Sequence, residues 1–148
     1  MSILDRATEY LKRNASPFIR LKLTNPRYEK VNFCLDVRFL PGRDEIFFKD
    51  KLKNDLREFL APWAVGKYDK LSFGQAIHRS DIIRFIEQTG YVDFINGIKM
   101  THENEPLLLI DTPTVLPVTP RSVLIAGDID VLIDPQRCDD WCRQGINN

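Results

Sequence analysis

The chain has 148 residues, the size of one domain that buries roughly two-thirds of its unfolded surface. Its 21 Lys and Arg balance 21 Asp and Glu, so no global charge favours nucleic acid or an anionic membrane. An apolar fraction of 43% argues for a folded core rather than disorder. The longest uncharged run, residues 112–120, holds three prolines. It is far shorter than the roughly 20 residues a membrane helix needs. Residues 2–15 mix charges with short apolar stretches, so no secretory signal is expected.

Charge is uneven along the chain. Residues 1–74 hold 15 basic and 10 acidic side chains, and residues 75–148 hold 6 and 11. Halves of +5 and −5 allow a head-to-tail contact with a like copy, unless the two halves interleave in space. Cys34, Cys138 and Cys142 form an odd set, which suits a reducing compartment better than a disulfide framework. The C-x3-C pair at the end fits no strong zinc signature, and Asp139 and Asp140 disfavour a lowered thiol pKa.

In chain order, residues 2–13 read as a helix. Ile3, Ala7, Tyr10 and Leu11 share one side, and Ser2 with Asp5 resembles a weak N-cap. A helix this short must pack on this domain or on a body outside the chain. Ile3, Leu11 and Phe18 either pack within this domain or dock further N-terminal sequence, and if left uncovered they would favour dimerisation or a loose N-terminus. Residues 18–23 alternate and predict a short strand, before Asn25-Pro26 turns the chain.

Residues 30–40 give the clearest strand. Val31, Phe33, Leu35, Val37 and Phe39 form a core face, and Asn32, Cys34, Asp36 and Arg38 a wet one. Asp44 caps a helix with an apolar stripe of Phe48, Leu52, Leu56 and Phe59. Ala61-Pro62 stops it, and Trp63 is expected over its end. Residues 71–73 read as a small strand or an extended connection.

A second helix opens at Arg79 or Ser80, buries Ile82, Ile83, Phe85 and Ile86, and closes at Gly90. Residues 91–100 read as a strand. The run 107–110 is apolar, and the prolines after it give an extended stretch poor at central pairing. Residues 122–133 read as one or two strands with Gly127-Asp128 as a bulge or turn. The fold class is α+β: two main helices on a mostly antiparallel sheet, with an additional N-terminal helix. The expected divisions are a linker helix at 1–17, an α+β domain at 18–135 and a flexible tail at 136–148.

The search for chemistry is sparse. No phosphate loop or H-E-x-x-H occurs. His78, beside Arg79, reads as a surface or interface residue. His102, in T-H-E-N-E, reads as part of a wet loop. Asp128 and Asp130, with Asp134 beyond, can share one strand face. Paired carboxylates serve acid–base chemistry, but a wet face carries such pairs equally well. Arg121 is a multi-donor contact candidate. Lys49, Lys51, Lys53 and Arg57 crowd one helix among acidic residues, as a solubilising face. Catalytic, metal and cofactor residues are expected to be none.

Ordered segments nevertheless resemble a known family. They are N-P-R-Y-E-K-V from Asn25, F-L-A-P-W-A from Phe59, I-H-R-S-D-I-I from Ile77, Y-V-D-F from Tyr91 and T-P-R-S-V-L from Thr119. Together they resemble the C-terminal region of baseplate J-like proteins, wedge components of contractile phage tails and injection systems. The chain starts inside what resembles the last linker helix of much longer family members. The resemblance implies a non-enzymatic subunit, assembled in the cytoplasm and then carried in the particle. Its implied partners are other wedge subunits and the first sheath layer, with neither nucleic acid nor membrane insertion. Aromatic and arginine anchors expected at such contacts are Tyr28, Trp63, Tyr68, His78, Arg79 and Arg121, with Phe73 nearby. The alternatives are an enzyme subunit with a composite site built on His78, Arg79 and the Asp128–Asp130 pair, or a truncated domain without assembly function.

Overall fold

A computed structural model describes residues 1–67, 71–103 and 112–133. The element order is α1 (Ile3–Asn14), β1 (Arg27–Phe39), α2 (Glu45–Leu60), a 3-10 turn (Pro62–Val65), β2 (Ile77–His78), α3 (Arg79–Glu87), β3 (Val92–His102), β4 (Thr114–Val115) and β5 (Ser122–Leu132). Tyr68, Asp134, Cys138, Cys142, the apolar run 107–110 and the tail at 136–148 lie outside the described residues.

β1 forms the centre because its alternation is the longest in the chain. Phe33, Leu35, Val31 and Val37 point into the core and lose all solvent contact. Its neighbours are β3 and β5, in the order β3-β1-β5. β3 pairs antiparallel, with Leu35 beside Ile98 and Phe33 beside Met100. β5 pairs parallel, with Arg27 beside Ser122 and Leu35 beside Val131. β2 and β4 form a separate antiparallel pair, Ile77 beside Val115. The large sheet is therefore mixed. Strands from the two halves of the chain lie side by side in it.

The wet face expected on β1 is only partly wet. Cys34 is 2% exposed and Asp36 5%. A central strand is shielded by neighbours on both sides, and Asn96 donates from β3 to the Asp36 carboxylate at 3.3 Å.

The two main helices cover the core face, α2 over β5 and α3 over β3. Asp44 caps α2, its Oδ1 accepting the amides of Ile46 at 3.0 Å and Phe47 at 3.3 Å. Leu52 and Leu56 of α2 and Ile82 and Ile86 of α3 are fully buried. Phe59 and Phe85 stack across the two helices, centroids 4.3 Å apart. Tyr91 ties β3 to α2 by donating to Asp55 Oδ2 at 2.7 Å. Burial first, and then the Asp55 carboxylate, push its phenol well above the usual range.

Gly127 is where β5 slips against β1. Ala126 faces Val31 and Ile129 faces Phe33, so two residues of β5 meet Asn32 alone. The Asn32 amide oxygen fills the bulge and accepts the Asp128 amide at 2.9 Å. A Cβ at Gly127 would come within 2.3 Å of that oxygen, so a side chain there displaces Asn32.

The N-terminal region departs from expectation. α1 forms with a full capping box: Ser2 Oγ accepts the Asp5 amide, and the Asp5 carboxylate accepts from Ser2. Yet α1 buries no residue. Residues 18–23 form no strand, and Phe18 is 94% exposed. Their alternation supplies a sheet-ready pattern, but no ladder among the described residues takes it up.

Candidate assembly surface

The C-terminal end of α2 shapes the surface. Proline at 62 prevents the helix from continuing, and the chain tightens into the 3-10 turn. Gly66 closes that turn at φ 84°, a conformation other residues adopt at a cost. Trp63 is left half-buried at the rim of two recesses. The larger, about 740 Å³, runs between α2 and α3 and takes in the Phe59–Phe85 stack, His78, Asp81 and Arg84. The smaller, about 390 Å³, is lined by Tyr28, Ala61, Trp63, Ala64, Ile125 and Ala126, with Arg57 and Glu58 at its edge.

Three of the sequence candidates, Tyr28, Trp63 and His78, line these recesses. Tyr28 and Trp63, 35 positions apart in the chain, line the smaller one together. Trp63 and His78 line the larger. His78 is exposed on β2, its Nδ1 3.1 Å from the Thr114 hydroxyl. Arg79 opens α3, half-buried, and its amide donates to the Pro113 carbonyl. Arg121 is exposed just before β5, and its carbonyl accepts the Arg27 amide. Phe73 is also exposed. Asp128 and Asp130 occupy β5, the first exposed and the second half-buried, and neither lines the recess that holds His78.

His102 corrects the sequence reading. It ends β3 instead of lying in a wet loop, and it is 6% exposed. Its Nε2 lies 2.9 Å from Glu29 Oε1. Glu29 is completely buried and also accepts the Val118 amide, at 3.1 and 3.2 Å. Burial acts to raise the Glu29 carboxyl. The hydrogen bonds from Ser122, Val118 and His102, with the charge of His102, outweigh it and hold the group below its ordinary value. Ser122 in turn contacts Thr119, hydroxyl to hydroxyl at 2.6 Å. This network anchors the proline-rich segment before β5 and so holds Arg121 at the surface.

Ser122 follows Arg121 in the contact candidate read from the sequence, whereas Glu29 did not stand out. Glu29 had a readable signal: it shares the odd-numbered phase of Val31, Phe33 and Leu35, one step before the predicted strand. Among the described residues no group of three or more His, Cys, Asp or Glu is placed to hold a metal ion. None of the described helices is long and apolar enough to cross a membrane.

The sequence model of the family described as "Baseplate protein PVC11-like" matches residues 2–113. Comparison with curated proteins gives no match. The fold is similar to that of a chain in the cryo-EM structure of the anti-feeding prophage (AFP) baseplate, 6-fold symmetrised. The TM-score is 0.65 at 20% identity, covering 88% of this chain and 26% of that one. The present chain thus corresponds to about a quarter of that relative.

Proposed function

The chain belongs to the PVC11-like baseplate protein family, and from that premise we propose that it is a non-enzymatic structural component of a contractile injection-system or tail baseplate. The family match over residues 2–113 carries this reading. The likeness of fold to a chain of the anti-feeding prophage baseplate supports it.

The finer proposal is a wedge role like that of baseplate J-like proteins, with contacts to neighbouring wedge subunits and to the first sheath layer. Trp63 is the central anchor, because it borders both recesses and Tyr28 shares one of them. A half-buried aromatic beside small apolar residues is the kind of centre that dominates protein contacts. His78 shares the larger recess with Trp63, and Arg79, Arg121 and Tyr68 are the further contact candidates from the sequence. Residues 18–135 act as the α+β unit and residues 1–17 as the linker helix leading into it. Assembly takes place in the cytoplasm, before the particle leaves it.

The test is quantitative mass analysis of native contractile particles, followed by chemical cross-linking. The expected result is stoichiometric recovery with wedge and sheath components, and cross-links from the surface around Trp63. Absence of the chain from intact particles would overturn the reading. Trp63→Ala is expected to reduce incorporation at least about tenfold, the scale of a central aromatic anchor, with the chain still folded.

A further inference from the structure

Residues 18–23 are patterned as a strand and pair with none among the described residues. Ile19, Leu21 and Leu23 alternate with Phe18, Arg20 and Lys22, yet the segment lies outside every ladder of the structure. Phe18, Ile19, Arg20 and Lys22 are exposed, while Leu21 and Leu23 are half-buried.

β5 presents the matching feature. It forms one edge of the three-stranded sheet. Among the described residues, β5 beyond Ser122 makes no backbone-to-backbone hydrogen bond except to β1. Such an edge offers a row of N–H and C=O groups to a further strand.

The side chains match in phase and in charge. Ile129 and Val131 belong to the core face and are buried, so alternation places Asp128 and Asp130 on the opposite face. β5 carries no Lys or Arg. With Leu21 beside Ile129, Arg20 and Lys22 fall on the face of the two carboxylates, whichever way the added strand runs. Opposite charges that neighbour each other across a ladder stabilise the pairing.

The same chain cannot make this contact. Four peptide steps link Leu23 to Arg27, a reach of at most about 14 Å. In a parallel addition Leu23 lies beside Val131, level with Leu35, eight residues or about 26 Å beyond Arg27. In an antiparallel addition Leu23 lies beside Gly127, level with Asn32. That is about 16 Å along the strands and two strand spacings across them, or roughly 19 Å in all. Both distances exceed the link.

We infer that residues 18–23 of one copy add as a strand to the β5 edge of a second copy, with Arg20 and Lys22 against Asp128 and Asp130. This is strand addition between unlike surfaces of identical chains. Such a head-to-tail contact closes into a ring or propagates as a filament.

The test uses the purified full chain, so its failure is separate from failure of the baseplate reading. Light scattering after size exclusion should show mass rising with concentration and falling with salt. R20D/K22D and D128K/D130K should each weaken association about tenfold or more, as two ladder pairs turn from opposite to like charge. An equimolar mixture of the two variants should regain it, because each arm then meets an edge of opposite sign. Thermal unfolding by circular dichroism checks both folds, and R20D/K22D changes only residues outside the ladders and helices. A chain that stays monomeric at every concentration overturns the inference. So does association that the reversals leave unchanged, or a mixture that does not regain it.

Discussion

The N-terminal region, residues 1–26, and the body that follows use equally good local signals and reach opposite ends. α1 has a complete capping box and an apolar stripe, and α2 has an Asp44 cap and an apolar stripe. Of these two helices, only α2 lies on a sheet among the described residues. None of residues 1–26 is buried, and the first buried residue of the chain is Glu29. Caps and periodicity decide whether a segment can be a helix or strand. A facing apolar surface decides whether that element contributes to the stability of the whole.

The largest expected effect tests that division directly. Phe33→Ala, in the centre of β1, should lower unfolding free energy by about 3–5 kcal/mol. Tyr10→Ala on α1 should stay within about 0.5 kcal/mol. Urea unfolding of the two variants measures both. A large loss for Tyr10→Ala would mean that α1 belongs to the body after all.

Glu29→Gln gives the intermediate case. It keeps the shape but removes the charge that accepts from His102, Ser122 and Val118, and should cost about 1–3 kcal/mol near neutral pH. Its pH dependence has a defined sign. The native Glu29 carboxyl lies below its ordinary value of 4.5, so folding favours the ionised form. That stability is fully present above pH 4.5 and is lost as pH falls through the lower native value. The gap between the parent and Glu29→Gln should therefore close on acidification below that point. A gap that widens there would contradict the hydrogen-bonded carboxylate.

The smallest effect is confined to α1. Ser2→Ala removes the cap and should reduce local helix stability by about 1 kcal/mol. Hydrogen exchange of the α1 amides should speed up while the unfolding midpoint of the body stays unchanged.

Much of the body was legible because burial and periodicity agree there. Val31, Phe33, Leu35, Val37 and Phe39 form the core face as expected, and Leu52 and Leu56 lie on the stripe that Phe48 and Phe59 extend. What escaped was long-range. Nothing in the sequence near Ser122 declares that its strand runs parallel to β1. Residues 18–23 look like a strand because alternation records suitability for a sheet, not the presence of a partner. His102 sits beside Glu103 and Glu105, so its neighbourhood looks wet, while its partner Glu29 is 73 residues away. Of the interface candidates, Tyr28 and Trp63 converge only because β1 and the end of α2 meet beside β5, a juxtaposition set by topology.

The parallel alignment of β1 with β5 also carries a consequence for biosynthesis. The strand at the middle of the sheet is made long before one of its two neighbours, residues 122–132. Until the ribosome has released those residues, β1 can hold only β3, and an apolar strand edge stays open. Contacts so distant in sequence slow folding, because loop closure precedes any gain from pairing. The nascent chain therefore carries an incomplete sheet from the synthesis of β1 until that of β5. That is the interval in which such a chain is most exposed to mispairing with its neighbours on a polysome.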